Sequence, residues 1–190
     1  MRMHNRFTVT RAVQFLVTNP FRSTSGFTLA EMAVVIGVLG ILAAIAIPSW
    51  LAFRNTRNLN VAQGQIYQIL SQTQGEAARL RADRRASFRE QNGVVQWAIH
   101  STTSAPSPAE WQTLSSNVRI DPIETTLANV GGAYQVRFDQ WGNVEGQLGR
   151  LTVMGHTGGR ARRCVIVSTL LGAMRRGSDH TTPQDGRFCY

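Results

Sequence analysis

Gly26-Phe27-Thr28-Leu29-Ala30-Glu31, followed by an uncharged apolar run from Met32 to Ile47 and then by Pro48, decides how the rest of this chain is read. The run is 16 residues, mostly Val, Ile, Leu and Ala, with Gly37 and Gly40 inside it. Extended back to Phe27 it makes 21 residues that hold one charge. About 20 apolar residues cross a bilayer as a helix. A helix satisfies its own backbone polar groups in lipid, so it is the expected form. The one charge is Glu31. A carboxylate in a membrane helix costs about 3 kcal/mol, which makes such a residue a candidate for function by default.

The flanks orient the segment. Residues 1–25 contain four arginines (2, 6, 11 and 22) and no acid. Their short apolar patch, Ala12-Val13 and Phe15-Leu16-Val17, is too brief to span and ends at Asn19-Pro20. A basic leader before an apolar helix places the N-terminus in the cytoplasm and the C-terminal part outside.

Gly26, Phe27, Thr28, Leu29, Glu31 and Pro48 together resemble the class III signal of type IV prepilins and type II secretion pseudopilins. The resemblance implies that prepilin peptidase cuts between Gly26 and Phe27 and methylates Phe27. It implies that Thr28, Leu29, Glu31 and Pro48 serve assembly, with other pilin or pseudopilin subunits as partners. The Glu31 carboxylate would then meet the Phe27 ammonium of a neighbouring subunit. A paired charge is tolerable in an apolar setting where an unpaired one is strongly destabilising. The bland alternative is an ordinary signal anchor with a chance Glu. The expected location is the bacterial inner membrane, single-pass, with the C-terminal domain in the periplasm, and then a pilus or pseudopilus.

Of the 190 residues, removal of 26 leaves 164. With roughly 60 in one long helix, about 100 remain, enough for one small globular domain. The formal charge is +9, and all twenty basic residues are Arg. Without the leader the balance is 16 Arg against 11 acids. The leader charge therefore says nothing about nucleic acid. The two cysteines, Cys164 and Cys189, read first as a disulfide in an exported domain, with two free thiols as the alternative. A bridge would pin the tail Asp179–Tyr190 onto the strand that holds Cys164. The four His residues (4, 100, 156 and 180) lack ligand spacing, so no metal or cofactor is expected. No nucleophile–base constellation, phosphate loop or paired carboxylates point to an enzyme.

In the apolar helix Ala33/Gly37 and Gly40/Ala44 are small-xxx-small pairs, which allow close helix approach or reflect only the ordinary composition of membrane helices. Pro48 should kink or loosen the helix, and Trp50 falls at the interface. From Leu51 to about Arg84, Leu59, Ala62, Ile66, Ile69, Leu70, Thr73, Ala77 and Leu80 recur at three- and four-residue steps, an amphipathic stripe facing a core. The arginines at 79, 81, 84, 85 and 89 read as a solvated helix face.

After Arg85 the period shifts toward two. Ala86–Glu90 and Val94–His100 flank Gln91-Asn92-Gly93, a hairpin signal. Residues 101–108 are a Ser/Thr/Pro loop that Trp111 and Leu114 dock back. Val118–Asp121, Tyr134–Phe138, Leu148–Met154 and Arg163–Leu170 are expected strands; Ile123–Val130 is ambiguous. Cys164-Val165-Ile166-Val167 suits a buried central strand. The fold class is α+β, a long N-terminal helix packed against a small antiparallel β-sheet domain. The divisions are 1–26 (leader), 27–50 (membrane and assembly helix), 51–85 (amphipathic half) and 86–190 (β-rich domain).

Phe138-Asp139, Gly142-Asn143-Val144 and Arg163-Cys164-Val165-Ile166-Val167-Ser168 resemble the GspH/FimT group of minor pilins and pseudopilins. The resemblance implies a structural filament subunit. Some members of the group take up DNA in natural transformation through a Gly-Arg-x-Arg stretch near the C-terminus. Gly159-Arg160-Ala161-Arg162 has those letters, in an expected hairpin turn with Arg163. The group's stretch instead follows the strand corresponding to Cys164–Ser168, where this chain has Gly172-Ala173-Met174-Arg175. Arg175-Arg176 are expected in the next turn. Arg forks pair with phosphate, so Arg160, Arg162, Arg163, Arg175 and Arg176 are candidate DNA contacts. The alternatives are solvated basic turns, or pairing with Asp179 and Asp185.

Overall fold

The computed structural model describes residues 26–114, 117–156 and 161–190; the leader 1–25 lies outside them. One helix, α1 (Leu29–Leu80), crosses the boundary between two compact units, 1–43 and 44–190. In the first unit, α1 starts on a cap. The Glu31 backbone N–H donates to Thr28 Oγ1 at 3.2 Å, and the Met32 N–H donates to the Thr28 carbonyl at 3.1 Å. Thr-x-x-Glu before an apolar run is the sequence signature of such a start. Every described residue of this unit is exposed.

In the second unit, α1 runs through Pro48, whose missing N–H leaves the Ala44 carbonyl without its helical donor. Its buried stripe is Leu59, Ala62, Gln63, Ile66, Ile69, Leu70, Thr73 and Ala77. The helix ends at Leu80, four residues before the expected Arg84. Arg81 adopts φ 52° and the Ala82 N–H donates to the Ala77 carbonyl, a Schellman ending with Arg where Gly is usual. The basic run is therefore not one helix face. Arg81 stacks over Trp141, 4.6 Å from the ring centroid, and Arg84, Arg85 and Arg89 belong to the first strand.

Two antiparallel sheets stand where one was expected. The first contains β1 (Arg84–Gln91), β2 (Val94–Ser101), β3 (Gln112–Thr113), β5 (Ala128–Val130), β6 (Ala133–Phe138) and β7 (Val144–Glu145). Its order is β3-β2-β1-β6-β5, with β7 also on β6. The second contains β4 (Val118–Ile120), β8 (Gly149–Gly155), β9 (Arg162–Val167), β10 (Met174–Gln184) and β11 (Arg187–Cys189), in the order β11-β10-β9-β8-β4. The β1–β2 hairpin turns at Asn92 (φ 54°) and Gly93 (φ 72°), the left-handed pair that a two-residue turn requires. The ambiguous stretch supplies β5, which returns through Gly131-Gly132 into β6. Leu114 is buried, and Trp111 lies under the Arg89 guanidinium at 3.9 Å.

The helix stripe and both sheets share one core, with Phe88, Phe138, Leu151, Val153, Val165 and Val167 among its members. β9 is the central strand of its sheet, as its apolar run suggests. Val165 and Val167 belong to the main core, whereas Cys164 and Ile166 cluster with Cys189 in a second one. Cys164 and Cys189 form the disulfide. The segment Asp179–Tyr190, expected as a tail, forms the end of the eleven-residue β10 and then β11. Replacing both cysteines by Ala should lower the stability of the second unit by roughly 3 kcal/mol, the loop-closure value for a bridge spanning 25 residues. Urea unfolding of the full chain in micelles, followed by tryptophan fluorescence, measures this.

Candidate functional site

Phe27 and Glu31 lie at the start of α1, with Phe27 exposed and Glu31 in the first helical turn. A carboxylate there is favoured by the helix dipole. Sequence reading singled out Glu31 by its charge and, through the resemblance, expected it to serve assembly, but it passed over the residue's place in the capping signature with Thr28. The exposed apolar side chains continue through Val34, Ile36, Leu39, Ile41 and Ile45 to Ile47. α1 is long and apolar enough to cross a membrane.

Among the described residues the candidate DNA arginines are divided between two faces of the second sheet. Arg160 lies outside the described residues. Arg162 and Arg163 are strand residues of β9, and Arg175 and Arg176 are strand residues of β10, not turn residues as expected. Successive strand residues point to opposite faces, so each pair is split. Arg163 donates from Nε to Asn60 Oδ1 of α1 at 2.8 Å, and Arg176 stacks over Tyr67 of α1 at 4.7 Å. Arg162 donates from Nε to the buried Asp121 at 2.7 Å and from an Nη to Asp179 at 3.4 Å. The hydrogen bond to Asp121 raises the Arg162 pKa further above its ordinary value, against a smaller opposing effect of burial. Pairing with Asp179 was among the readings of the sequence, but the principal partner, Asp121, was not anticipated. Arg175 is exposed and has no hydrogen bond or ion pair among the described residues.

The stretch Phe138–Val144 builds a docked turn. Asp139 accepts from the backbone N–H of Trp141 (2.9 Å) and of Asn143 (2.8 Å), and from the Asn143 side-chain amide (3.1 Å). Gln74 of α1 donates to the Gly142 carbonyl at 2.9 Å. Burial alone would raise the Asp139 pKa; the Asn143 and Trp141 donors outweigh it and hold the carboxyl below its usual range.

On the first sheet, a cleft of about 410 Å³ is lined by Arg85, Ser87, Arg89, His100 and Trp111, among others. Ser87 Oγ lies 2.8 Å from His100 Nε2, and His100 Nδ1 lies 2.7 Å from the Ser101 carbonyl and 2.9 Å from that of Ser104. Nδ1 must carry the proton to donate to a carbonyl; in the neutral tautomer that does so, Nε2 accepts from Ser87. Both side chains are buried and satisfied, which is a structural use of this pair. Among the described residues no group of three His, Cys, Asp or Glu is placed to hold a metal ion.

Comparison with known proteins gives matches to the N-terminal helix and beyond it. The family described as the prokaryotic N-terminal methylation motif matches residues 21–47. Over 93 residues the chain is 34% identical to the type II secretion system core protein G of Pseudomonas aeruginosa. Over these stretches the chain is similar to type IV pilin- and pseudopilin-like proteins. That alignment takes in 47% of this chain and 60% of the relative's length. The minor pseudopilin EpsH of the type 2 secretion system of Vibrio cholerae aligns with a TM-score of 0.43 at 14% identity, over 63% of this chain and 95% of that one. The long N-terminal helix and the antiparallel sheets make an α+β fold.

Arg162→Ala leaves Asp121 buried without its cation and should cost about 1–3 kcal/mol, discounted from the fully buried case because Arg162 is part-exposed. Arg175→Ala should stay within about 0.5 kcal/mol of the parent. Denaturant midpoints distinguish the two. A depressed carboxyl contributes stability above its unfolded pKa of about 4 and loses it as pH falls through the folded value. Asp139→Ala should therefore flatten the loss of thermal stability below about pH 4, as read by calorimetry.

Proposed function

We propose that this chain is a minor pilin or pseudopilin, a structural subunit of a type II secretion pseudopilus or type IV pilus. In this reading it enters the inner membrane as a prepilin with its N-terminus cytoplasmic and its β-rich domain periplasmic. Prepilin peptidase cuts between Gly26 and Phe27 and methylates Phe27. The new Phe27 ammonium then pairs with Glu31 of a neighbouring subunit, and the exposed apolar length of α1 packs against other helices.

The observation that carries this is the coincidence of the methylation-motif match over 21–47 with a capped, exposed apolar helix that has its acid in the first turn. The 34% identity to a type II secretion core protein supports the secretion system over other users of the same signal. A DNA-uptake subunit draws no support from arginines divided between two sheet faces, with Arg162 already paired.

Co-expression with prepilin peptidase should shorten the protein by 26 residues and yield N-methylated Phe27 as the first residue in mass spectrometry. An intact Met1, or a different first residue, overturns the processing. Glu31→Ala should be inserted and cut but recovered poorly in sheared filaments.

A further inference from the structure

The outer flank of the membrane helix carries charges that the filament reading leaves unused. Arg54 and Arg57 are exposed and form no hydrogen bond or ion pair with a described residue. No acid occurs between Glu31 and Glu76. Once the leader is cut away, with its four arginines, no Arg remains on the cytoplasmic side, and these two stand just outside. That reverses the usual distribution of positive charge about a membrane helix. Such cations are stable where an anion meets them.

Leu51, Arg54, Asn55 and Asn58 follow at i, i+3, i+4 and i+7 and so share one face of α1. With His156 and Asn117 they line a pocket of about 170 Å³. The His156 backbone N–H is held by the Asn117 carbonyl at 3.2 Å. Its ring lies against the β1–β2 turn, where a Cβ on Gly93 would meet Cε1 at 3.3 Å. One wall is thus helix, and the other is the residue that follows β8, set against the β1–β2 turn. Beneath the pocket, Trp50 and Phe53 are exposed, with ring centroids 6.0 Å apart. Aromatic rings of this kind settle at headgroup level. Arg54 lies one helical turn, about 6 Å, beyond Trp50. A long Arg side chain can reach back toward the interface from there.

We propose that this pocket binds the headgroup of an anionic phospholipid. Arg54 pairs with the phosphate, Asn55, Asn58 and His156 bond its oxygens and glycerol, and the acyl chains lie beside Trp50 and Phe53. Arg57 disfavours a headgroup bearing its own cation, so phosphatidylglycerol is preferred over phosphatidylcholine. The inference rests on the membrane residence proposed above, and it concerns the subunit before it enters a filament.

The test uses the full chain in nanodiscs of equal phosphatidylglycerol and phosphatidylcholine, with lipids that remain bound after detergent extraction counted by native mass spectrometry. Phosphatidylglycerol should be retained about fivefold over phosphatidylcholine for each surface arginine engaged. Arg54→Gln, and separately His156→Ala, should bring the ratio toward one, while excess inorganic phosphate should leave it unchanged. Equal retention of the two lipids, an unchanged ratio in both variants, or displacement by inorganic phosphate overturns the lipid site. Alkaline carbonate extraction of cell membranes separates the two readings. A chain washed out by carbonate defeats membrane residence itself, and a chain that stays without lipid preference defeats only the pocket.

Discussion

Burial of one stripe of α1 against two sheets is the interaction on which the second unit depends. Both sheets lay an apolar face on the helix stripe, so the main core needs all three elements. Leu59, Ile66 and Leu70 are fully buried and belong to the same cluster as Phe88 of one sheet and Val165 of the other. Polar side chains of the helix add direction to that burial. Gln63 donates to the Cys164 and Gly177 carbonyls in the second sheet, and Gln74 donates to the Gly142 carbonyl in the turn after β6. The same helix is apolar on all sides before residue 48 and striped after residue 59.

The arginines illustrate how chemistry suggested by letters is redistributed by backbone geometry. A run such as Arg160-Ala161-Arg162-Arg163 looks like a patch, but alternation along β9 sends Arg163 toward α1 and Arg162 toward Asp121. A guanidinium already holding a buried carboxylate is not available to phosphate without breaking that pair. The unengaged cations of the second unit include Arg54 and Arg57, close to the apolar run and away from the letters that drew attention.

The apolar length of the N-terminal helix, the helix stripe and the first hairpin were legible because each carries its own composition, period or turn chemistry. Every residue of the buried stripe except Gln63 stands at the predicted spacing, and Asn92-Gly93 turns where expected. Three features were not legible. The helix end at Leu80 uses Arg81 in a left-handed conformation, so no Gly marked it. β10 contains Gly177 and Pro183 amid charged residues, and its pairing with β9 is set by a long-range register that local propensity does not encode. The second sheet went unrecognised because strand count does not say where a sheet divides. At the candidate site, Glu31 was found by its charge, but its place in the Thr28 cap required attention to the first turn.

Gln63 has a mechanical consequence. Its amide grips the carbonyls of Cys164 and Gly177, residues paired across β9 and β10, and the disulfide fastens β9 to the chain's last strand. Movement of α1 is therefore coupled to both β9 and β10 at once, not to a single strand. The bridge keeps β9 joined to the last strand even where the hydrogen bonds through β10, which lies between them, are lost.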